Sequence, residues 1–75
     1  MIDYLWDLDR RSDEEYESDK SAYQHTCETI KEIGSELHRR GGENLMRNIL
    51  LIAGSEGCNI DFIGREWNGI GAWQG

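Results

Sequence analysis

The stretch from Ser12 to Arg40 is the strongest constraint on what this chain can become. Ser12-Asp13-Glu14-Glu15 has the form of a capping box, with a hydroxyl to receive a first-turn N–H and a glutamate three residues on. At helical spacing, Tyr16, Ala22, Tyr23, Thr26, Cys27, Ile30, Ile33 and Leu37 fall within an arc of about 140°. Glu28, Glu32 and Glu36 project near the opposite side. His38, Arg39 and Arg40 place cations where a helix C-terminus favours them, and Gly41-Gly42 supplies the stop. The pattern predicts one amphipathic helix over 12–40, about 43 Å long.

Residues 43–53, ENLMRNILLIA, predict a second helix, apolar over more than half its circumference. A helix of that character is normally buried between neighbours, so it is expected to be the central packing element. The short Gly41-Gly42 joint implies that the two helices fold back as an antiparallel hairpin. Gly34 lies on the apolar face of the long helix, where a missing side chain either admits a close neighbour or merely weakens the helix.

The flanks are less determined. In residues 1–11, Ile2, Leu5 and Trp6 share helical spacing, which fits either a turn or two of helix or an extended arm. Left exposed, such a segment would be an unusual apolar patch, so docking is expected on this chain's own core or on a second chain. Near the other end, Ile60, Ile63 and Trp67 share a helical face, favouring a third helix over 58–68 ended by Asn68-Gly69, with Ile70 in hydrophobic contact. The competing reading is a hairpin turning at Asn68-Gly69. Residues 69–75 form a tail in either case. The expected architecture is a single small all-α domain: a helical hairpin, a shorter third helix, and an N-terminal segment packed alongside.

At 75 residues the core is marginal alone. The long helix exceeds what either partner helix can cover, so part of its apolar face needs the N-terminal arm or a second copy. Cys27 and Cys58 suggest two reduced thiols rather than a disulfide framework, with a single disulfide between them as the alternative. No apolar run is long enough to span a bilayer, and the first residues lack a signal-peptide pattern, so the expectation is a cytoplasmic protein.

The net charge of −7 is concentrated at one end. Residues 1–19 carry eight of the fifteen acids against two of the eight bases, and the rest is nearly neutral. With no basic stripe to displace counterions, direct nucleic-acid binding is disfavoured. An acidic surface suits basic partners, and it also promotes solubility.

No catalytic constellation is present. Gly41-Gly42 lacks the lysine and preceding strand of a phosphate loop. His25 and Glu28 have the spacing of a metal-ligand pair, but no second helix repeats it. Cys27 and His38 stand eleven residues apart on one helix, about 16 Å along its axis, too far for a nucleophile and its base. Neither an enzyme nor a cofactor or metal site is expected.

The ending Trp67-Asn68-Gly69-Ile70-Gly71-Ala72-Trp73 resembles the W-x-G-I-G-x-W endings of some small bacterial and phage-type proteins. That resemblance covers these seven residues, or about a third of the chain with the Gly41-Gly42 joint and the second helix included, and carries no activity with it.

Function is therefore sought in the acids and the tryptophans. Asp13, Glu14 and Glu15 fit a first helical turn, where carboxylates offset the helix dipole. Asp3, Asp7, Asp9, Glu17 and Asp19 exceed that need and are interleaved with Tyr4, Leu5 and Trp6. Carboxylates flanking aromatics suit a groove whose arginines and lysines normally hold phosphates. Trp67 is expected in the core, while Trp6 and Trp73 serve either the core or a partner. The expected function is a non-enzymatic protein-binding module that occludes a basic surface, as a phage-type anti-defence inhibitor would. The expected partner contacts are Trp6, Asp13, Glu14, Glu17, Asp19, Glu28, Glu32, Glu36 and Trp73. The alternative is a homodimeric structural module whose acidity serves only solubility.

Overall fold

The computed structural model describes residues 2–73. They form an all-α fold of three helices: α1 (Ile2–Ser18), α2 (Lys20–Ser55) and α3 (Ile60–Glu66). The expected hairpin is present inside α2, which bends at Gly42 (φ 69°, ψ −162°). That backbone conformation is essentially restricted to glycine. A straight helix of 36 residues would reach about 54 Å. The longest extent of the whole molecule is 35 Å, so arms 20–41 and 43–55 fold against each other.

The helix start differs from the expectation. The capping box at Ser12 is not used: α1 already runs from Ile2, and the chain breaks at Asp19 instead. Ser12 is buried within α1, and its hydroxyl donates back to the Asp9 carbonyl at 2.6 Å. Asp19 takes the cap role, with extended backbone and its carboxylate accepting from the Ala22 N–H at 3.2 Å. Both sites carry good N-cap residues, so local preference alone leaves the choice open. Packing decides it. The Thr26 hydroxyl donates to Glu15 at 2.6 Å, a contact that residues eleven apart make only if the chain reverses between them. Breaking at Asp19 returns α1 onto α2 and buries Leu5 and Leu8 in the same core as Ile30 and Leu37. The N-terminal segment thus packs alongside the hairpin as a full helix, and it covers the long apolar face that otherwise called for a second copy.

Two further expectations are corrected. The arm 43–55 buries Met46 and Ala53, but Leu51 and Ile52 are 58% and 48% exposed, so it is not enclosed on all sides. The third helix is shorter than 58–68: Asn59 caps it through the Phe62 N–H, and it ends at Glu66 with Trp67 as C-cap. Gly69 and Gly71 then take positive φ, and the chain turns back so that Trp73 closes the core. Ile70 packs against that core as expected. Gln74 and Gly75, the end of the expected tail, lie outside the described residues.

The core centres on Trp67, fully buried, with its indole N–H donating to the Ile30 carbonyl at 2.8 Å. Trp73 meets it edge-on at 5.5 Å and donates to the Gly64 carbonyl at 2.8 Å. Aromatic pairs favour that edge-to-face geometry, and both indole N–H groups are satisfied.

Candidate protein-binding face

Because Leu5, Leu8, Asp9 and Ser12 turn inward, the opposite side of α1 carries Asp3, Asp7, Arg10, Glu14 and Glu17 at alternating spacings of four and three. This stripe runs about 21 Å along the helix. Its charges are not equivalent. Asp7 is paired with Arg11 at 3.1 Å, both half exposed. The Arg10 guanidinium lies 4.7 Å from the centre of the Trp6 ring, a cation–π contact that occupies its face. Asp3, Asp13, Glu14 and Glu17 are exposed, and none of them forms an ion pair among the described residues.

Trp6, expected as an aromatic anchor, is 38% exposed at the edge of this stripe. Asp13 lines the same shallow cleft as Trp6, beside Asp9 and Gly57. Asp19 lies at the far end of α1, but its carboxylate is engaged as the α2 cap.

Asp9 is the exception within the acidic set. It is only 6% exposed; its Oδ2 accepts from the Asn59 N–H at 3.3 Å, and its Oδ1 has no partner. Burial pushes its pKa up, the Asn59 N–H opposes that, and Asp13 adds to it. The carboxyl ties α1 to the turn before α3 rather than facing a partner.

The row Glu28, Glu32, Glu36 does not form a uniform negative strip. Glu36 is held by Arg39 at 2.6 and 3.0 Å and by Arg40 at 2.8 Å, and these hydrogen bonds lower its pKa to about 2. Glu28 and Glu32 are exposed in an open groove that also contains Lys31. Trp73, expected as a partner contact, is instead a core residue with 9% exposure, so it is corrected to a packing role.

Sequence reasoning missed a groove where α1 meets α2. Tyr16, Glu17, Lys20, Tyr23, Cys27 and Glu66 line an open depression of about 710 Å³. Tyr16 meets Tyr23 edge-on at 5.3 Å, and Tyr23 stacks on Phe62 at 6.3 Å. Tyr23, Cys27 and Glu66 face one another across this groove and influence one another electrostatically. Burial first, then the link to Cys27, raises the Tyr23 pKa to about 12. Burial likewise pushes the Cys27 thiol up, as it does Cys58, which also feels Asp9. The seven-residue spacing of Tyr16 and Tyr23 was a readable signal, but the arrival of Glu66 from α3 depends on tertiary packing.

Among the described residues, no group of three or more His, Cys, Asp or Glu side chains is placed to hold a metal ion. His25 and Glu28 are both exposed. No described helix is long and apolar enough to cross a membrane. Comparison with known proteins finds no matching family model, no matching curated protein and no matching solved structure.

Proposed function

We propose that the chain is a non-enzymatic protein-binding module whose α1 face docks on a basic surface of a protein partner and occludes it. The observation that carries this reading is the outward set Asp3, Asp13, Glu14 and Glu17, whose charges the chain's own bases leave unneutralised among the described residues. Such a face steers toward lysine- and arginine-rich surfaces and gives salt-sensitive association. An antagonist of a nucleic-acid-processing complex, including a phage-type anti-defence protein, is one setting in which that property serves. The non-enzymatic part of the reading is supported by the two cysteines, both shifted toward the unreactive thiol.

The test uses affinity capture from host lysate, then affinity for the captured protein at low and physiological ionic strength. Reversal of the exposed pair Glu14→Lys and Glu17→Lys is expected to weaken binding and flatten its salt dependence. Unchanged affinity at both ionic strengths would overturn the reading.

A second reading, homodimeric assembly, is favoured by one observation: Leu51, Ile52 and Ile60 are exposed on 43–55 and α3. Sedimentation equilibrium of the parent and Leu51→Glu decides it. A concentration-dependent dimer lost in the variant supports it, and a monomer at all concentrations removes it.

A further inference from the structure

The groove at the α1–α2 junction is not explained by the fold. Tyr16 is 61% exposed although α1 has a buried side available nearby, and it is held in place edge-on against Tyr23. Glu66 is half-buried on the groove wall, and it forms no ion pair among the described residues. A carboxylate has about four acceptor positions, and no basic side chain among the described residues is ion-paired with that of Glu66. Glu17 stands at the rim, where the acidic stripe of α1 ends. With Lys20 opposed to Glu17 and Glu66, and with Cys27 and Tyr23 neutral, the groove has a net charge of −1.

We propose that this groove receives an arginine side chain of the basic partner, its guanidinium stacked against Tyr16 and forked onto Glu66, with Glu17 at the entrance. The inference rests on the reading of α1 as a face for a basic surface, and it names the anchor. Arginine fits better than lysine on chemical grounds. Its planar, weakly hydrated guanidinium stacks on aromatic rings and donates two parallel hydrogen bonds to one carboxylate, whereas an ammonium is a compact, strongly hydrated point charge. The continuity of Glu17 with the stripe means that a strand of basic residues lying along α1 would deliver its last side chain here. Lys20 is the one element opposed to the occupant, and it supplies a test of sign.

The experiment is an NMR titration of the uniformly 15N-labelled chain with N-acetyl-arginine amide, its neutral isostere N-acetyl-citrulline amide, and N-acetyl-lysine amide. Arginine amide is expected to shift the amides of Tyr16, Tyr23, Cys27 and Glu66 saturably, and the other two to act far more weakly. Glu66→Gln should weaken arginine binding about tenfold, the loss of one charge-assisted hydrogen bond. Tyr16→Ala should weaken it about threefold, the size of an exposed cation–π contact. Lys20→Gln should strengthen it about twofold, because it removes a screened like charge. The spectrum itself shows whether each variant is folded, and Lys20→Gln tests the proposal at an exposed position that packing does not use. Equal responses to arginine and lysine, or to arginine and citrulline, would overturn the proposal.

A hexa-arginine peptide separates this idea from the broader one. If the peptide shifts the amides of Asp3, Asp7 and Glu14 but leaves the groove unmoved, the groove proposal fails and the acidic face stands. If neither region responds, both fail.

Discussion

The indole of Trp67 occupies the space that a side chain at position 34 would fill. A Cβ added to Gly34 would lie 2.6 Å from the indole Nε1 and closer still to Cδ1. The same nitrogen donates to the Ile30 carbonyl, one turn earlier on the same arm of α2. Gly34 is therefore the floor on which the largest core residue rests, and the penalty of a mid-helix glycine is offset by that close approach.

Gly34→Ala is expected to destabilise the fold, because the overlap falls on a rigid ring in a packed core. Overpacking of this kind costs about 1–3 kcal/mol. For a chain of this size, 1 kcal/mol corresponds to about 4–8 °C in Tm. Thermal unfolding followed by circular dichroism checks it. An unchanged or raised Tm would contradict the seating of Trp67.

Gly42 fails for a different reason. Nothing lies within 4 Å of a Cβ built there, yet its φ of 69° and ψ of −162° are nearly closed to other residues. Gly42→Ala and Gly42→Asn should both cost about 1–3 kcal/mol. Asparagine gives no rescue, because it tolerates the left-handed helical region and not this one. Denaturant titration of the two variants is the measurement, and recovery by asparagine would refute the backbone argument.

Asp19 caps α2 and is also an expected partner contact, and substitution separates the two roles. Asp19→Ala removes the cap of α2 and should cost about 1 kcal/mol. Asp19→Asn keeps a capping oxygen for the Ala22 N–H while removing the charge, so stability should stay near that of the parent. Loss of partner binding in Asp19→Asn would assign its charge to recognition, and retained binding would leave it a cap.

The pH response of Asp9 has a definite sign. Its folded-state pKa is raised, chiefly by burial, so the folded chain holds that proton more tightly than the unfolded chain does. The charged form is a penalty at neutral pH, and the penalty is relieved as pH falls through the folded pKa toward the ordinary carboxylate value, about 3.9. Asp9→Asn cannot titrate. Tm measured for both chains from neutral to acidic pH should therefore show the parent gaining on the variant as pH drops. A constant difference would mean that Asp9 does not titrate with the fold.

Much of the architecture was legible because its signals are local and redundant. Gly41-Gly42 marked the bend, the Ile30–Leu37 face marked the core, and Asn68-Gly69 marked the end of the last helix within two residues. The junction of α1 and α2 was not. Ser12 and Asp19 are both good caps, and the apolar period continues through both; only the reversal that brings Glu15 to Thr26 distinguishes them. That shift moved Tyr16 from the apolar face of a long helix to an exposed position on α1. It also revealed the groove, since Glu66 belongs to α3 and no spacing within 12–40 announces it. Trp73 was ambiguous because a tryptophan near a terminus has no periodic context, and its indole bond to the Gly64 carbonyl is a tertiary fact.

The bend at Gly42 also limits how the length of this chain can vary. It joins two helical arms with a single non-helical residue, and Glu43, immediately after it, accepts from the Ala72 N–H at 2.9 Å. One added residue there would be cheap by chain-closure entropy alone. It would, however, rotate the second arm by about 100°, carrying Met46 and Ala53 out of the core and Glu43 away from the turn it holds. A change of length at this joint thus displaces a whole arm, whereas a side-chain change on either arm acts only where it sits, and the spacing between Leu37 and Met46 acts as a fixed ruler for the fold.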